Sequence, residues 1–190
     1  PAEREKRRGV AGMVFAYKIA GARAAQGGSL VEVTAAATKA AEACRSIGVA
    51  MTPCTVPESG QATFSIAEDE VEFGMGIHGE PGIWRGKLKT ADQLTSEMLD
   101  RLLPELDLHR GSRVAVLVNS LGATPHEELY IMYRHVAQVL RDLGVTPVMP
   151  LVGRYATSME MAGASLTLMP LDSELERLLK APASSPFWSV

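Results

Sequence analysis

Residues 74–82, Gly-Met-Gly-Ile-His-Gly-Glu-Pro-Gly, set an ionisable ring into a stretch of backbone that is almost free of side chains. At period two, Val71, Phe73, Met75 and Ile77 fall on one wholly apolar face of a strand over Glu70 to Ile77. Glu70, Glu72, Gly74, Gly76 and His78 fall on the other. Glycine inside a strand packs nothing and marks a place where a backbone or a ligand comes close. Gly74 and Gly76 therefore predict a bare shelf with His78 at its end, and Gly79, Pro81 and Gly82 bend the chain away beyond it. A neutral imidazole carries a lone pair at pH 7, because its unperturbed pKa is about 6.5. Held near an electrophile, it is a nucleophile. The same pattern also suits a partly exposed histidine, or one hydrogen-bonded for structure alone.

Other polar strings carry weaker signals. The segment Asn119 to Pro125 lies between a strand and a helix start, where free amides can meet an anion, although most such loops only connect elements. His126-Glu127-Glu128 is not a zinc motif: position 130 is Tyr130 where a second histidine is needed, and His135 falls on another helical face. His109 reads as an exposed loop residue. Cys44 and Cys54 are too far apart for a Cys-x-x-Cys pair and sit in apolar surroundings, which predicts reduced, buried thiols in a cytoplasmic protein.

The elements that must position His78 alternate between helix and strand. A first helix is expected over Glu3 to Ala25, with Val10, Met13, Val14, Tyr17 and Ala24 as its apolar stripe. Ser29 with Glu32 forms a capping box that opens a second helix running to about Ser46. A short strand follows near Gly48 to Met51, then a turn region from Pro53 to Pro57. Thr90 with Gln93 opens a third helix that stops before Pro104. Arg113 to Val118 is a continuous apolar run of the kind buried on both faces of a sheet. Thr124 is expected to cap a fourth helix, with Pro125 at its first position and Glu127 closing the box, and Gly144 ends it. Strands near Thr146 to Val152 and Ala164 to Leu171 complete the sheet, and a final helix covers Ser173 to Lys180. Phe187 and Trp188 suggest that the Pro- and Ser-rich tail lies against the body. The fold class is α/β, a mixed sheet covered by helices, in a single domain over 1–190.

Composition agrees with a globular domain and narrows its partners. Hydrophobic residues make up 46% and charged residues 22%. A net charge of -3 gives no electrostatic reason to bind nucleic acid, and the basic run at Arg4 to Arg8 is broken by Glu5. No apolar run approaches the length of a membrane span.

The string Gly-Ile-His-Gly-Glu-Pro-Gly, read with Arg8-Gly-Val-Ala-Gly12, Pro53-Cys-Thr-Val-Pro57, Asn119-Ser-Leu-Gly-Ala-Thr-Pro125 and Thr157-Ser158, resembles the dihydroxyacetone kinase family. The match runs from about Arg7 to the C-terminus and corresponds to the second half of that family's substrate-binding (K) domain. The resemblance implies that His78 attacks the ketone carbon of dihydroxyacetone and holds it as a covalent hemiaminal, which glycerol cannot form. It implies a pocket shaped by Gly74, Gly76 and Gly79. Glu80 is placed either to orient the imidazole or to face solvent. The family's N-terminal glycine-rich loop and its aspartate have no counterpart here, so this chain alone is not expected to transfer phosphate. No cofactor is expected on this chain; ATP or ADP with Mg, or a phosphotransferase donor, belongs to a separate domain or subunit. The resemblance also implies a homodimer. The alternative is a non-catalytic module that senses a carbonyl sugar and signals through a partner.

Overall fold

The computed structural model describes residues 7–77, 80–186 and 188–190. The expectations for His78, Gly79, Phe187 and the start of the first helix fall outside those residues. The helices are α1 (Met13–Ala25), α2 (Leu30–Ala43), α3 (Ala91–Leu102), α4 (His126–Asp142) and α5 (Ser173–Leu179). The strands are β1 (Arg45–Ala50), β2 (Thr55–Val56), β3 (Gln61–Ala62), β4 (Glu70–Phe73), β5 (Trp84–Lys87), β6 (Arg113–Ser120), β7 (Thr146–Gly153) and β8 (Gly163–Pro170). Six strands form one sheet in the order β5-β4-β1-β8-β6-β7, and β2 with β3 makes a separate hairpin. Only β6 and β7 pair in parallel; the other pairs in the large sheet are antiparallel. The sheet is thus mixed and covered by helices, as the sequence predicts.

Each face of the sheet has its own core. Val114, Val116 and Val118 of β6 pack with Leu166 and Leu168 of β8 against Met98 and Leu99 of α3 and Leu129, Val136 and Leu140 of α4. Ala115, Leu117 and Met169 point the other way, toward Phe15 and Ile19 of α1, Ala40 of α2 and Leu178 and Leu179 of α5. This is why the apolar run in β6 does not alternate: both of its faces are removed from water.

Local signals with local partners hold. Glu32 N donates to Ser29 Oγ (3.4 Å) and Ser29 N donates to the Glu32 carboxylate (2.8 Å). Thr90 and Gln93 exchange the equivalent pair at 3.3 and 3.2 Å. Gly144, just past α4, takes φ +71, the left-handed conformation that glycine supplies at a helix end.

Three expectations are corrected. Among the described residues α1 begins only at Met13, because residues 7–12 run beside β1, where Gly9 lies against Ser46. Its buried face is Phe15, Ile19 and Ala22, not the stripe through Met13 and Tyr17, and Tyr17 is 71% exposed. The helix is apolar on more than one side, so periodicity does not choose between them. Lys18 lies on the buried side, where its ammonium donates to the carbonyls of Leu178 (2.9 Å) and Ala181 (2.6 Å) and sits over the Trp188 ring. The tail at Trp188 does pack on the body. Thr124 does not cap α4: Pro125 is the N-cap residue without a side-chain bond, and the Thr124 hydroxyl is taken up by Gly163. The strands β2, β3 and β5 were not expected.

Glu176 fastens α5 to the start of β6. Its carboxylate accepts from Arg113 Nε (2.5 Å) and Nη2 (2.8 Å), and from Lys180 Nζ (2.5 Å). The Arg113 hydrogen bonds, with Lys180 next, push its pKa down from 4.5 to about 2. A depressed carboxylate stabilises the fold above its unfolded pKa, and that contribution is lost as pH falls from about 4.5 to about 2. Urea midpoints should therefore fall less steeply for Glu176→Gln than for the parent across this window. Parallel curves would show that the pair contributes nothing.

Candidate functional site

The loop that carries position 78 connects β4 to β5 and is closed at its base. Ile83 N donates to Phe73 O (2.7 Å), and the rings of Phe73 and Trp84 stack with centroids 4.5 Å apart. Arg101 of α3 lies over the outer ring, 4.6 Å from the Trp84 centroid. Glu72, placed by alternation on the open face, is buried. Its two oxygens accept from Gly82 N (2.6 Å) and Arg85 Nε (2.8 Å), which satisfies the charge and ties the loop's return to its start.

The strand predicted to reach Ile77 stops at Phe73. Gly74 takes φ +74, where a side chain is disfavoured, and its amide donates to Gly48 O on β1 (2.7 Å). From there the two-faced pattern ends. Met75 is buried and Ile77 partly so, in a small cluster with Ala50, Cys54, Leu121 and Met161.

The shelf is covered by the loop itself. A Cβ on Gly74 would lie 2.6 Å from the Ile83 side chain, and one on Gly76 would lie 2.1 Å from a Glu80 carboxylate oxygen. Gly74 is favoured by its positive φ, whereas at Gly76 the group in the way is the far end of the flexible Glu80 side chain. Glu80 is half-buried and folds back across Gly76, beside Arg8, rather than projecting into solvent. A groove of about 790 Å³ opens next to the loop, with Gly74, Met75 and Ile83 among its lining residues, together with Arg8, Arg101 and Glu105.

The residue before position 78 is held from a distant part of the chain. Ser158, which is buried, donates its hydroxyl to Ile77 O. The Ser158 amide donates to Leu121 O (2.6 Å), and the Cys54 sulfur lies 3.3 Å from Ser158 Oγ. Three loops converge here. Met51 N donates to Ala162 O (2.8 Å), Leu121 N to Gly163 O (3.0 Å) and Thr55 N to the Glu160 carboxylate (2.6 Å). Hydrogen bonds from Glu160's own backbone first, then from the Thr55 side chain and the Thr55 amide, hold the Glu160 carboxyl below the usual range.

Of the residues singled out from sequence, Gly76 and Glu80 are brought into contact and Gly74 stands at the base of the same loop. His78 and Gly79 lie outside the described residues. Sequence reasoning gave no individual role to Glu72, Cys54 or Ser158, because their partners sit far along the chain. The polar groups at the start of the Asn119 to Pro125 segment serve the structure. Asn119 Oδ1 accepts from Tyr155 N and Ala156 N (both 2.8 Å), and its amide donates to Ala156 O (2.7 Å). Among the described residues no group of three or more His, Cys, Asp or Glu side chains could hold a metal ion. Burial pushes the Cys44 thiol up to about 12, so it is protonated at neutral pH. No helix of the described residues is long and apolar enough to cross a membrane.

Residues 1–187 match the Dak1 domain. The chain belongs to the Dak1 domain family. As a Dak1 domain it is 46% identical, over 98% of its length, to the dihydroxyacetone-binding subunit of a PTS-dependent dihydroxyacetone kinase of Listeria innocua. It covers 56% of that subunit. It is 44% identical over 97% of its length to an L-erythrulose kinase of Pectobacterium atrosepticum, of which it covers 32%. Among solved structures, a dihydroxyacetone kinase operon co-activator superposes with a TM-score of 0.85 at 35% identity, covering 91% of this chain and 54% of that one. This Dak1 domain therefore spans about half the length of the Listeria subunit, and its fold is that of the co-activator over the shared part.

Proposed function

We propose that this Dak1 domain is the ketone-capturing part of a dihydroxyacetone kinase, with His78 as the nucleophile. What supports the reading most is 46% identity, over 98% of this chain, to a dihydroxyacetone-binding subunit, together with the Gly-Ile-His-Gly-Glu-Pro-Gly loop. The unprotonated ring nitrogen attacks the carbonyl carbon, and the C=O π pair moves onto oxygen. The proton on the other ring nitrogen leaves as the oxygen gains one, so the hemiaminal forms without net proton change. Glu80, folded against Gly76, is the carboxylate assigned to receive or orient that ring proton. Gly74, Gly76 and Gly79 are assigned to shape the pocket beside the nucleophile.

The phosphorylating machinery is assigned elsewhere. The N-terminal part of the family domain supplies the groups that act on the substrate hydroxyl. A nucleotide-binding subunit with ATP or ADP and Mg, or a phosphotransferase protein, supplies the phosphate. The assembly is read as a cytoplasmic homodimer. A second reading, a carbonyl-sugar sensor without turnover, draws on the likeness to the operon co-activator.

Ketone capture predicts discrimination by functional group. Calorimetry on the chain, and on the chain joined to the N-terminal part of the Listeria subunit, should show saturable binding of dihydroxyacetone. Glycerol should bind on the order of 100-fold more weakly or not at all. Equal affinity for the two ligands would overturn covalent capture. Phosphorylation of dihydroxyacetone by the joined protein with its phosphate donor separates kinase from sensor.

A further inference from the structure

We propose that Ser158 is a positioning residue for the nucleophile, acting through the peptide that joins Ile77 to position 78. The inference rests on the reading of His78 as the capturing residue and deepens it. A serine hydroxyl has one proton to give and two lone pairs. Here the proton goes to Ile77 O, so the Cys54 thiol, 3.3 Å away, is the donor to Ser158. Ser158 and Cys54 are 5% and 1% exposed, which removes water as a competitor for either bond.

The carbonyl matters because of where it sits. A peptide unit is planar, so a bond to the oxygen of Ile77 sets the plane whose other end is the backbone nitrogen of residue 78. Ser158 is itself rigid. Its amide donates to Leu121 O (2.6 Å), and its carbonyl accepts from Met161 N (3.0 Å). On the far side of the pair 78–79, Glu80 is folded against Gly76. The loop is therefore held on both flanks, by the Ser158 bond to Ile77 on one side and by the packing of Glu80 on Gly76 on the other. A nucleophile on a glycine-rich loop needs such clamps, since small misplacements of a reacting group cost large factors in rate.

The test compares two variants in the same small cluster. Ser158→Ala removes the clamp, whereas Cys54→Ala removes a neighbour and leaves the Ser158 to Ile77 bond in place. The readouts are formation of the dihydroxyacetone adduct, melting temperature and amide exchange in the loop, all on the protein used for calorimetry. Ser158→Ala should weaken adduct formation by about 10- to 100-fold and speed exchange at residues 77–80. Cys54→Ala should leave adduct formation within about threefold even where it lowers the melting temperature as much. Ser158→Thr, which keeps the hydroxyl, should restore most of the loss. Wild-type adduct formation by Ser158→Ala, or equal losses in Ser158→Ala and Cys54→Ala, would overturn the positioning role. No adduct in the parent protein would instead overturn the assignment of His78.

Discussion

Replacing His78 with alanine should abolish ketone capture while leaving the fold intact. Dihydroxyacetone binding is expected to weaken by roughly 10³-fold or more, the scale set by loss of a covalently acting, pre-positioned group. At 1.36 kcal/mol per factor of ten, that is about 4 kcal/mol of interaction. The melting temperature should stay within about 2 °C of the parent, a shift of no more than about 0.5–1 kcal/mol for a domain of this size. The reason is that the loop's anchors among the described residues run through other groups. Glu72 holds Gly82, Gly74 donates to Gly48, and Ser158 holds Ile77, all through other groups. Undiminished ketone binding by His78→Ala would show that His78 is not the nucleophile. A large drop in melting temperature would make the residue structural.

A large stability effect is expected at Gly163, where β8 begins. Its φ is +156, and an added Cβ would stand 2.3 Å from Val49 O and 2.9 Å from Ala50 Cα, both backbone atoms of the paired strand β1. Backbone in the centre of a sheet cannot step aside as a flexible side chain can. Gly163 N and O are also both bonded to the Thr124 hydroxyl (2.8 and 2.7 Å), and its carbonyl accepts from Leu121 N. Gly163→Ala should cost about 3 kcal/mol or more, combining a disfavoured backbone conformation with overpacking. For a chain of this length that lowers Tm by roughly 6–12 °C. Ketone binding should fall with it, because the displaced segment carries Ser158. Urea unfolding gives the number directly, and a cost below about 0.5 kcal/mol would contradict the packing described.

What could be read from sequence was set by how far each residue's partner lies along the chain. The boxes at Ser29 and Thr90 close within three residues, so the helix starts they mark are where the spacing places them. The strand β6 is legible because burial on both faces leaves an uninterrupted apolar run. Thr124 carries the same helix-start signal as Ser29, but Gly163, 39 residues on, competes for its hydroxyl and wins. The β4 pattern fails for a related reason. Alternation assumes that extended backbone continues, whereas Gly74 turns to reach Gly48, and Glu72 is drawn inward by Arg85 across the hairpin.

The site shows the same division. The loop was singled out from its own glycines and histidine, and within it Glu80 lies against Gly76, a contact the spacing did not announce. The clamp at Ser158 could not be found that way, since 81 residues separate it from Ile77. Nor did the glycines foretell that Ile83 and Glu80 would cover them. Bare backbone announces a close approach, but not whether the approaching group is a ligand or the chain itself.

Ketone capture rests on a bond between an imidazole nitrogen at position 78 and a ketone carbon. Dihydroxyacetone labelled with carbon-13 at C2, added to protein with nitrogen-15-labelled histidine, reports that bond. Capture through His78 should give a tetrahedral carbon signal split by one-bond coupling to a ring nitrogen, present in the parent and absent from His78→Ala. Only uncoupled signals of the free ketone and its hydrate, with dihydroxyacetone demonstrably bound, would contradict it.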